Sequence, residues 1–511
     1  PLAANGSPTT ILAASKLLGR TAGGWSVAAL AALTGEETDA AGSQTIEPRT
    51  LFAAARLSRD FTQGRTLIGG FATIVRRDLP PELAALHSGA GALALTGSHR
   101  FGNESHIFRA LVAASEVTGS AEAIALTQQS PVHYFQRPDN GYAHFDPDRT
   151  ALTGLAAWTE LARDRGPWVW SAKLATRSPG FEVNDAGFLA QAGQHLGRTT
   201  FTRRWLEPRG IFQRTEAGLE TFWDADYDGR ATGLGAGLRV SSLFRNYVSL
   251  VAEAWRNFGG IDLVALHGGP ALKRPGNNFF RIETATDPNQ PARMGAGLVI
   301  RPRDEDVSRE IRLTSTLGWR PSSRLDLELT PAYEWNFQRE QFVGTGTVGA
   351  AERYVVGFLR QRTLRMALRA GFTFTPVLTL QAYAQPFATS GSFPSFSQVV
   401  DPAARRSSRR VVSIPEALVE RQPDRVSFDL DADGAADLTV PPPDFTVLSL
   451  RSTVVLRWEY RNGSAASLVL QHERDDQRAV SEGDLFSVVG RLGSARGTTR
   501  LLLKVNYWLP L

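Results

Sequence analysis

The 511-residue chain has no cysteine. No disulfide framework, thiolate metal centre or cysteine nucleophile is open to it, and nothing in it can misoxidise in an envelope compartment. Also missing is any apolar run near the ~20 residues that a membrane-spanning helix needs. If the chain crosses a bilayer it does so with strands, because a barrel is the other structure that satisfies every backbone group in lipid. An excess of one charge is absent too: 56 Lys and Arg stand against 51 Asp and Glu, a net +5. The one basic cluster, Arg405 to Arg410, lies in a long loop. It reads as a solvated run, so nucleic acid is not an expected partner. No secretion signal opens the sequence, since Pro1-Leu2-Ala3-Ala4 carries no charge and leads into no apolar h-region.

Enzyme signatures are missing as well. The eight histidines, His87, His99, His106, His133, His144, His195, His267 and His472, form no pair with helical zinc spacing. Neither a Gly-x-Ser-x-Gly elbow nor a phosphate loop occurs. The chain is therefore not expected to be an enzyme. A barrel-embedded hydrolase, whose triad would come from distant strands, is the one enzymatic alternative left open.

What the chain does contain is alternation. Leu325, Leu327, Leu329, Pro331, Tyr333, Trp335 and Phe337 fall on one face, and Asp326, Glu328, Thr330, Ala332, Glu334, Asn336 and Gln338 on the other. Leu448, Leu450, Val454, Leu456, Trp458 and Tyr460 alternate with Ser449, Arg451, Thr453, Arg457 and Glu459. The last strand repeats the theme, Leu501, Leu503, Val505, Tyr507 and Leu509 against Leu502, Lys504, Asn506, Trp508 and Pro510. Successive strand side chains point to opposite faces, so each run has a greasy side and a wet side. A soluble sandwich also alternates, but its strands peak near five or six residues and many of these run past ten. Aromatics gather at strand ends (Trp319, Trp335, Trp458, Tyr460, Tyr507), where a bilayer interface would lie. A mean hydropathy of -0.18 fits a wall of which only alternate residues face lipid. The expected fold is all-β, a transmembrane antiparallel up-and-down β-barrel of about 22 strands (roughly 20 to 26) in the bacterial outer membrane.

Twenty-one candidate strands lie at 9–20, 25–37, 48–59, 65–77, 91–102, 105–117, 150–163, 167–177, 187–205, 211–223, 230–243, 246–258, 277–284, 292–303, 308–320, 325–338, 353–375, 378–388, 445–460, 463–475 and 500–510. Short connections carry Gly, Asn and Pro, as at Gly23-Gly24 and Asn462-Gly463. Long ones are 118–149, 259–276, 339–352, 389–444 and 476–499. Short turns normally face the periplasm and long loops the outside. With that sidedness the first strand descends, and an even strand count asks for an ascending strand before Pro1. The chain is thus expected to be a single barrel domain, 1–511, forming the C-terminal part of a longer precursor, with 389–444 an external or lumen-filling loop.

Local strings add a resemblance. They are Ala14-Ser15-Lys16-Leu17-Leu18-Gly19-Arg20, the stretch Gln129 to Asp139, the stretch Ser178 to Phe188, Tyr383-Ala384-Gln385-Pro386-Phe387, Val455 to Tyr460 and Lys504 to Leu509. Together they resemble a family of large bacterial outer-membrane barrels grouped as a domain of unknown function. Members of that family often carry an N-terminal module similar to carbohydrate-binding modules, which this sequence lacks. The resemblance implies fold and compartment, and no activity.

Two acidic strings have the composition of calcium loops. Asp429, Asp431, Asp433 and Asp437, with Gly434 at the sixth position, offer alternate hard oxygens around a sharp bend. Val440 stands where an EF-hand has Glu, so the motif is incomplete, and a solvated acidic loop is the other reading. Asp224, Asp226 and Asp228 form a weaker copy that a simple turn explains equally well. Calcium is the only cofactor expected. Loop 118–149, with Arg137-Pro138-Asp139, Asp146-Pro147-Asp148, His133, Tyr134, Phe135 and His144, is expected to brace the wall from within rather than bind sugar or a partner. Lumen-lining candidates are Lys173, Arg177, Arg312, Arg365, Arg369, Arg451 and Arg457, with Glu310, Glu328, Glu334 and Lys504 among them. The functional expectation is a porin-like or transport channel for small solutes, mildly anion-preferring. The alternative is a plugged structural barrel serving as a platform for envelope partner proteins or surface glycan. Expected partners are outer-membrane lipid and either a preceding N-terminal segment or a separate envelope protein.

Overall fold

The computed structural model describes residues 9–39 and 42–508. Pro1 to Ala4 and the last residues of the final candidate strand, Leu509 and Pro510, lie outside the described residues. The all-β, up-and-down antiparallel architecture expected from the alternation is present, and the strand positions agree closely with those read from the sequence. The chain falls into two compact units. One comprises residues 1–204, 218–236 and 258–274; the other comprises 205–217, 237–257 and 275–511.

In the first unit nine long strands pair in sequence order. They are β1 (Ile11–Arg20), β2 (Trp25–Thr34), β3 (Arg49–Asp60), β4 (Thr66–Asp78), β5 (His87–Phe101), β6 (His106–Gly119), β7 (Ala151–Arg163), β8 (Trp168–Arg177) and β9 (Gln194–Trp205). Two more, β10 (Phe212–Asp226) and β11 (Ala231–Phe244), have residues in both units. In the second unit a meander runs through β12 (Ser249–Asn257), β13 (Asn277–Ala285), β14 (Ala292–Pro302), β15 (Ser308–Ser322), β16 (Leu325–Val348), β17 (Ala351–Thr375), β18 (Leu378–Ser392), β19 (Phe445–Arg461), β20 (Ser464–Arg478) and β21 (Arg496–Asn506).

The register sorts side chains as the sequence pattern requires. Residues directly opposite in an antiparallel pair share a face. On β5 to β8, Leu93, Leu95, Leu155 and Leu174 are all more than half exposed on one face. Trp319, Trp458, Tyr460 and Tyr507 are exposed too, at strand ends, and so is Trp335, which the extension of its strand to Val348 places mid-strand. Turn chemistry fixes the short hairpins. Gly24 has φ +82, and a Cβ there would stand 2.8 Å from the Asp60 carbonyl oxygen, so only glycine fits that turn.

Three boundaries differ from the sequence reading. Residues 339–352, expected as a loop, extend the β16–β17 hairpin, with Phe342 opposite Val356 and Thr347 opposite Glu352. Their glycines read as loop residues, but they are needed for close packing. A Cβ on Gly344 would meet Val440 at 3.0 Å, and one on Gly346 would meet Leu430 at 2.9 Å. Residues 187–193 are not strand: Leu189 and Ala192 turn inward to pack with Phe181. Residues 389–444 are more than a loop. They hold a three-stranded sheet (Val419–Arg421, Val426–Phe428, Leu438–Val440). They also share a core with β17, in which Phe393, Phe396, Phe428 and Val426 pack on Val355 and Leu359.

Candidate functional site: the polar face and the segments packed on it

The face opposite the exposed leucines carries the charged residues, and they occur as interleaved ion pairs. In the second unit Arg312 donates to Glu310 (2.7 Å) and Glu334 (2.8 Å), and Arg365 reaches the same Glu334 oxygen at 2.6 Å. Arg369 bonds Glu328 at 2.8 Å, Arg451 bonds Asp475 at 2.8 Å, and Arg457 bonds Glu459 at 3.0 Å. In the first unit Lys173 lies 4.7 Å over the Trp158 ring, and the register places Arg177 on the same face, opposite Ala156. All seven basic candidates thus lie on the polar face, yet five of them are matched by carboxylates.

In the first unit the polar face is covered. The helix α1 (Ala121–Gln129), capped by Ser120 Oγ accepting from Ala123 N, and the segments on either side of β7 and β8 lie against it. Ile124 and Phe135 pack on Val75, Ala90, Val117 and Leu152, with all six side chains buried. Phe181, Leu189 and Ala192 pack beside Ala113 and Ala156. Loop 118–149 therefore braces the wall.

Two histidines lock this cover in place. The buried ring of His133 bonds the Pro179 carbonyl through Nδ1 and the Glu182 carboxylate through Nε2, each at 2.8 Å. His87, at the start of β5, bonds Asp185 through Nδ1 (2.8 Å) and Thr127 Oγ1 through Nε2 (2.6 Å). The Thr127 hydroxyl donates to the Ala123 carbonyl at 2.9 Å. Every ring nitrogen therefore has an oxygen partner, so both rings are held at two points. Arg77 adds a 2.5 Å bond to Asp185. Burial pushes the Glu182 and Asp185 carboxyls up. The bonds from His133 and Asn184 to the first, and from His87 and Arg77 to the second, outweigh burial and hold both below the ordinary carboxylate range.

Sequence reasoning missed this latch because its members are far apart in the chain: His87 and Asp185 are separated by 98 positions. The available signal was a charged string, Ser178 to Phe188, with Pro179 near its start and lying mostly between the candidate strands 167–177 and 187–205. Arg137 is buried, and Asp139 bonds Arg230 at 2.7 Å.

The two acidic strings have different surroundings. Ligand oxygens of Asp429, Asp431 and Asp433 lie within 4.8 Å of one another, while Asp437 turns a carboxylate oxygen to Leu430 N at 2.6 Å. Asp429 accepts from the amides of Ala432, Asp433 and Gly434, and Asp431 and Asp433 accept from the amides of Asp433 and Ala435, so the acidic side chains themselves organise the turn. In the second string Asp224 is paired with Arg198, the fully buried Asp226 with Arg230, and Asp228 accepts from Gly141 N at 3.1 Å. Those carboxylates tie a hairpin to the covering loop. Within the Arg405 to Arg410 run, expected to be solvated, Arg410 is the exception. It is fully buried and bonds Glu340, because the folded segment 389–444 closes over it.

Residues 114–510 match the family described as "Domain of unknown function (DUF5916)". The chain belongs to that family. No curated protein matches it. Two solved structures are similar to this DUF5916 chain. The siderophore receptor PirA from Acinetobacter baumannii is 8% identical with a TM-score of 0.39, over 89% of this chain and 76% of that one. The FpvAI–pyocin S2 complex is 11% identical with a TM-score of 0.31, over 91% and 69%.

Proposed function

We propose that this chain is the wall of a bacterial outer-membrane β-barrel of the transport class, with a passage for small solutes guarded by the segments latched to its polar face. The observation that carries this reading is the sorting of side chains on long strands. Leucines more than half exposed line one face, and ion pairs line the other. Monomeric soluble proteins rarely show contiguous apolar patches above a few hundred Å², whereas a membrane barrel wall requires one. The matched charges on the polar face support a weakly selective, water-filled surface rather than the mild anion preference suggested by the arginines alone. The buried latch supports a guarded passage rather than a wide pore.

The test has two steps. The refolded protein should float with phosphatidylcholine vesicles. In planar bilayers it should conduct weakly, and a His87→Ala, Asp185→Asn variant should conduct several-fold more. A protein that remains in the aqueous fraction would sink the membrane reading. A second reading, a platform for an envelope protein or surface glycan, is favoured by how completely the two covering segments pack. Flotation without conductance in either form, together with purification as a stable hetero-complex, would select it.

A further inference from the structure

Four neighbouring strands of the second unit build an amphiphilic cleft on the apolar face, at the end where the long connections lie. The register sets its rows. Arg309, Phe337, Arg360 and Ser392 are aligned across β15 to β18, and Ile311, Trp335, Arg362 and Ser390 form the next row. Beyond them lies a purely apolar row, Leu313, Tyr333, Leu364 and Ala388. Charge thus gives way to aromatic and then to aliphatic surface within three rows. The cavity has a volume of about 890 Å³, with Ile311, Trp335, Phe337 and Phe358 as its apolar lining.

One wall comes from the connection before β21. Ser481 Oγ and the Glu482 amide bond Ser390 Oγ at 3.1 and 2.8 Å. A short helix, α2 (Leu485–Gly490), then lies on the apolar row, burying Leu485 and Val488 against Leu364, Ala388 and Leu448. Its Phe486 is left 67% exposed. Exposed aromatic residues beside a short helix with one apolar face are what a membrane–water interface favours.

The arginines here differ from those on the polar face. Among the described residues no carboxylate pairs with Arg360 or Arg362. Arg360 lies 4.9 Å over the Phe358 ring, and Arg362 donates to the Gly483 carbonyl at 2.9 Å. Glu482, the one acid in the lining, is engaged by Arg491 through both oxygens at 2.8 Å. Arg309 shares Asp306 with Arg339. The cleft is therefore cationic at its rim and apolar below.

We infer that this cleft binds the phosphorylated headgroup of an acylated lipid in the leaflet at the long-loop end, with phosphate on Arg360 and Arg362 and acyl chains along Ile311, Leu313 and Tyr333. Guanidinium groups match phosphate oxygens bidentately, and the adjoining apolar row selects a lipid over a free anion. The inference rests on the membrane reading above and names a ligand for one place on that surface.

The experiment uses the detergent-solubilised chain and native mass spectrometry with three probes: bisphosphorylated lipid A, the same lipid without phosphates, and inorganic phosphate. Binding should be about tenfold tighter for the phosphorylated lipid. An Arg360→Gln, Arg362→Gln variant should lose that preference, and an Arg451→Gln control should keep it. Trp335→Ala should weaken both lipids alike. Equal binding of the two lipids by the wild type overturns the proposal and needs no variant, so a misfolded variant cannot shelter it. Inorganic phosphate competing at equal concentration also overturns it, in favour of a free-anion site. Flotation with vesicles, measured in parallel, separates the two failures. A floating protein with no preference sinks this inference alone, and a protein that does not float sinks both.

Discussion

Arg410 and Glu340 form an ion pair with both side chains buried, Nη2 to Oε1 at 2.7 Å, and the guanidinium also donates to the Ala404 carbonyl at 2.9 Å. The pair joins the folded segment 389–444 to the extended part of β16. Removing one partner strands a buried charge, at a cost of about 3–5 kcal/mol. Arg410→Met should therefore loosen residues 396–428 without unfolding the sheet. Hydrogen exchange should rise there and stay unchanged in β4 to β8. Uniform protection across the chain would contradict the assignment.

Glu182 and Asp185 give the covering segments an acid limit. Their carboxyls are held below the ordinary carboxylate range by the bonds they accept. A depressed carboxylate contributes stability that is complete above its unfolded value and is lost as pH falls through the folded one. The latch should thus hold at neutral pH, weaken as pH falls below the ordinary carboxylate range, and release only below the depressed folded-state values. Limited proteolysis by pepsin across pH 2 to 5 reads this as cutting within 178–193 at the acid end. Glu182→Gln with Asp185→Asn should be cut in proportion to pepsin's own activity at each pH, with no transition of its own.

Gly346 is required by the approach of residues 430–438. A Cβ there would lie 2.9 Å from Leu430 Cδ1 and 3.0 Å from the Asp437 carbonyl oxygen. Gly346→Val should cost about 1–3 kcal/mol by overpacking, seen as a lower midpoint for the 389–444 segment in pulse proteolysis. A variant as stable as the wild type would show that the contact yields freely.

Asp429 closes its turn with three amide bonds. Asp429→Ala should raise exchange of the 432–434 amides by roughly the factor expected for about 1 kcal/mol per lost bond. A calcium titration with the same readout decides the ion question. Protection that rises with calcium in the wild type and not in Asp431→Asn marks a ligand site; protection indifferent to calcium marks a hydrogen-bonded turn.

The strands were legible because each carries its own period of two. Leu325 to Gln338 shows it without any knowledge of the neighbours. The polar-face arginines were legible for the same reason, but their partners were not. Whether Arg365 meets Glu334 depends on register, which sequence alternation leaves open by two-residue steps. The cover over β4 to β8 was legible only as a loop expected to brace the wall. Its latch joins His87 on β5 to Thr127 and Asp185 in two separate connections. The extension of β16 beyond Gln338 was hidden by Gly344 and Gly346, whose purpose appears only when Leu430, Leu438 and Val440 are in place.

The hairpin of β16 and β17 has strands of 24 and 25 residues. At ~3.4 Å per residue each is roughly 80 Å long. Tilted by the usual 35–45°, it would still rise about twice as high as the ~25 Å apolar band it has to cross. In a bilayer its upper half would stand clear of the surface like a mast, stiffened by the small sheet at its side. Residues 339–352 and the small sheet packed beside them would then face the medium rather than lipid.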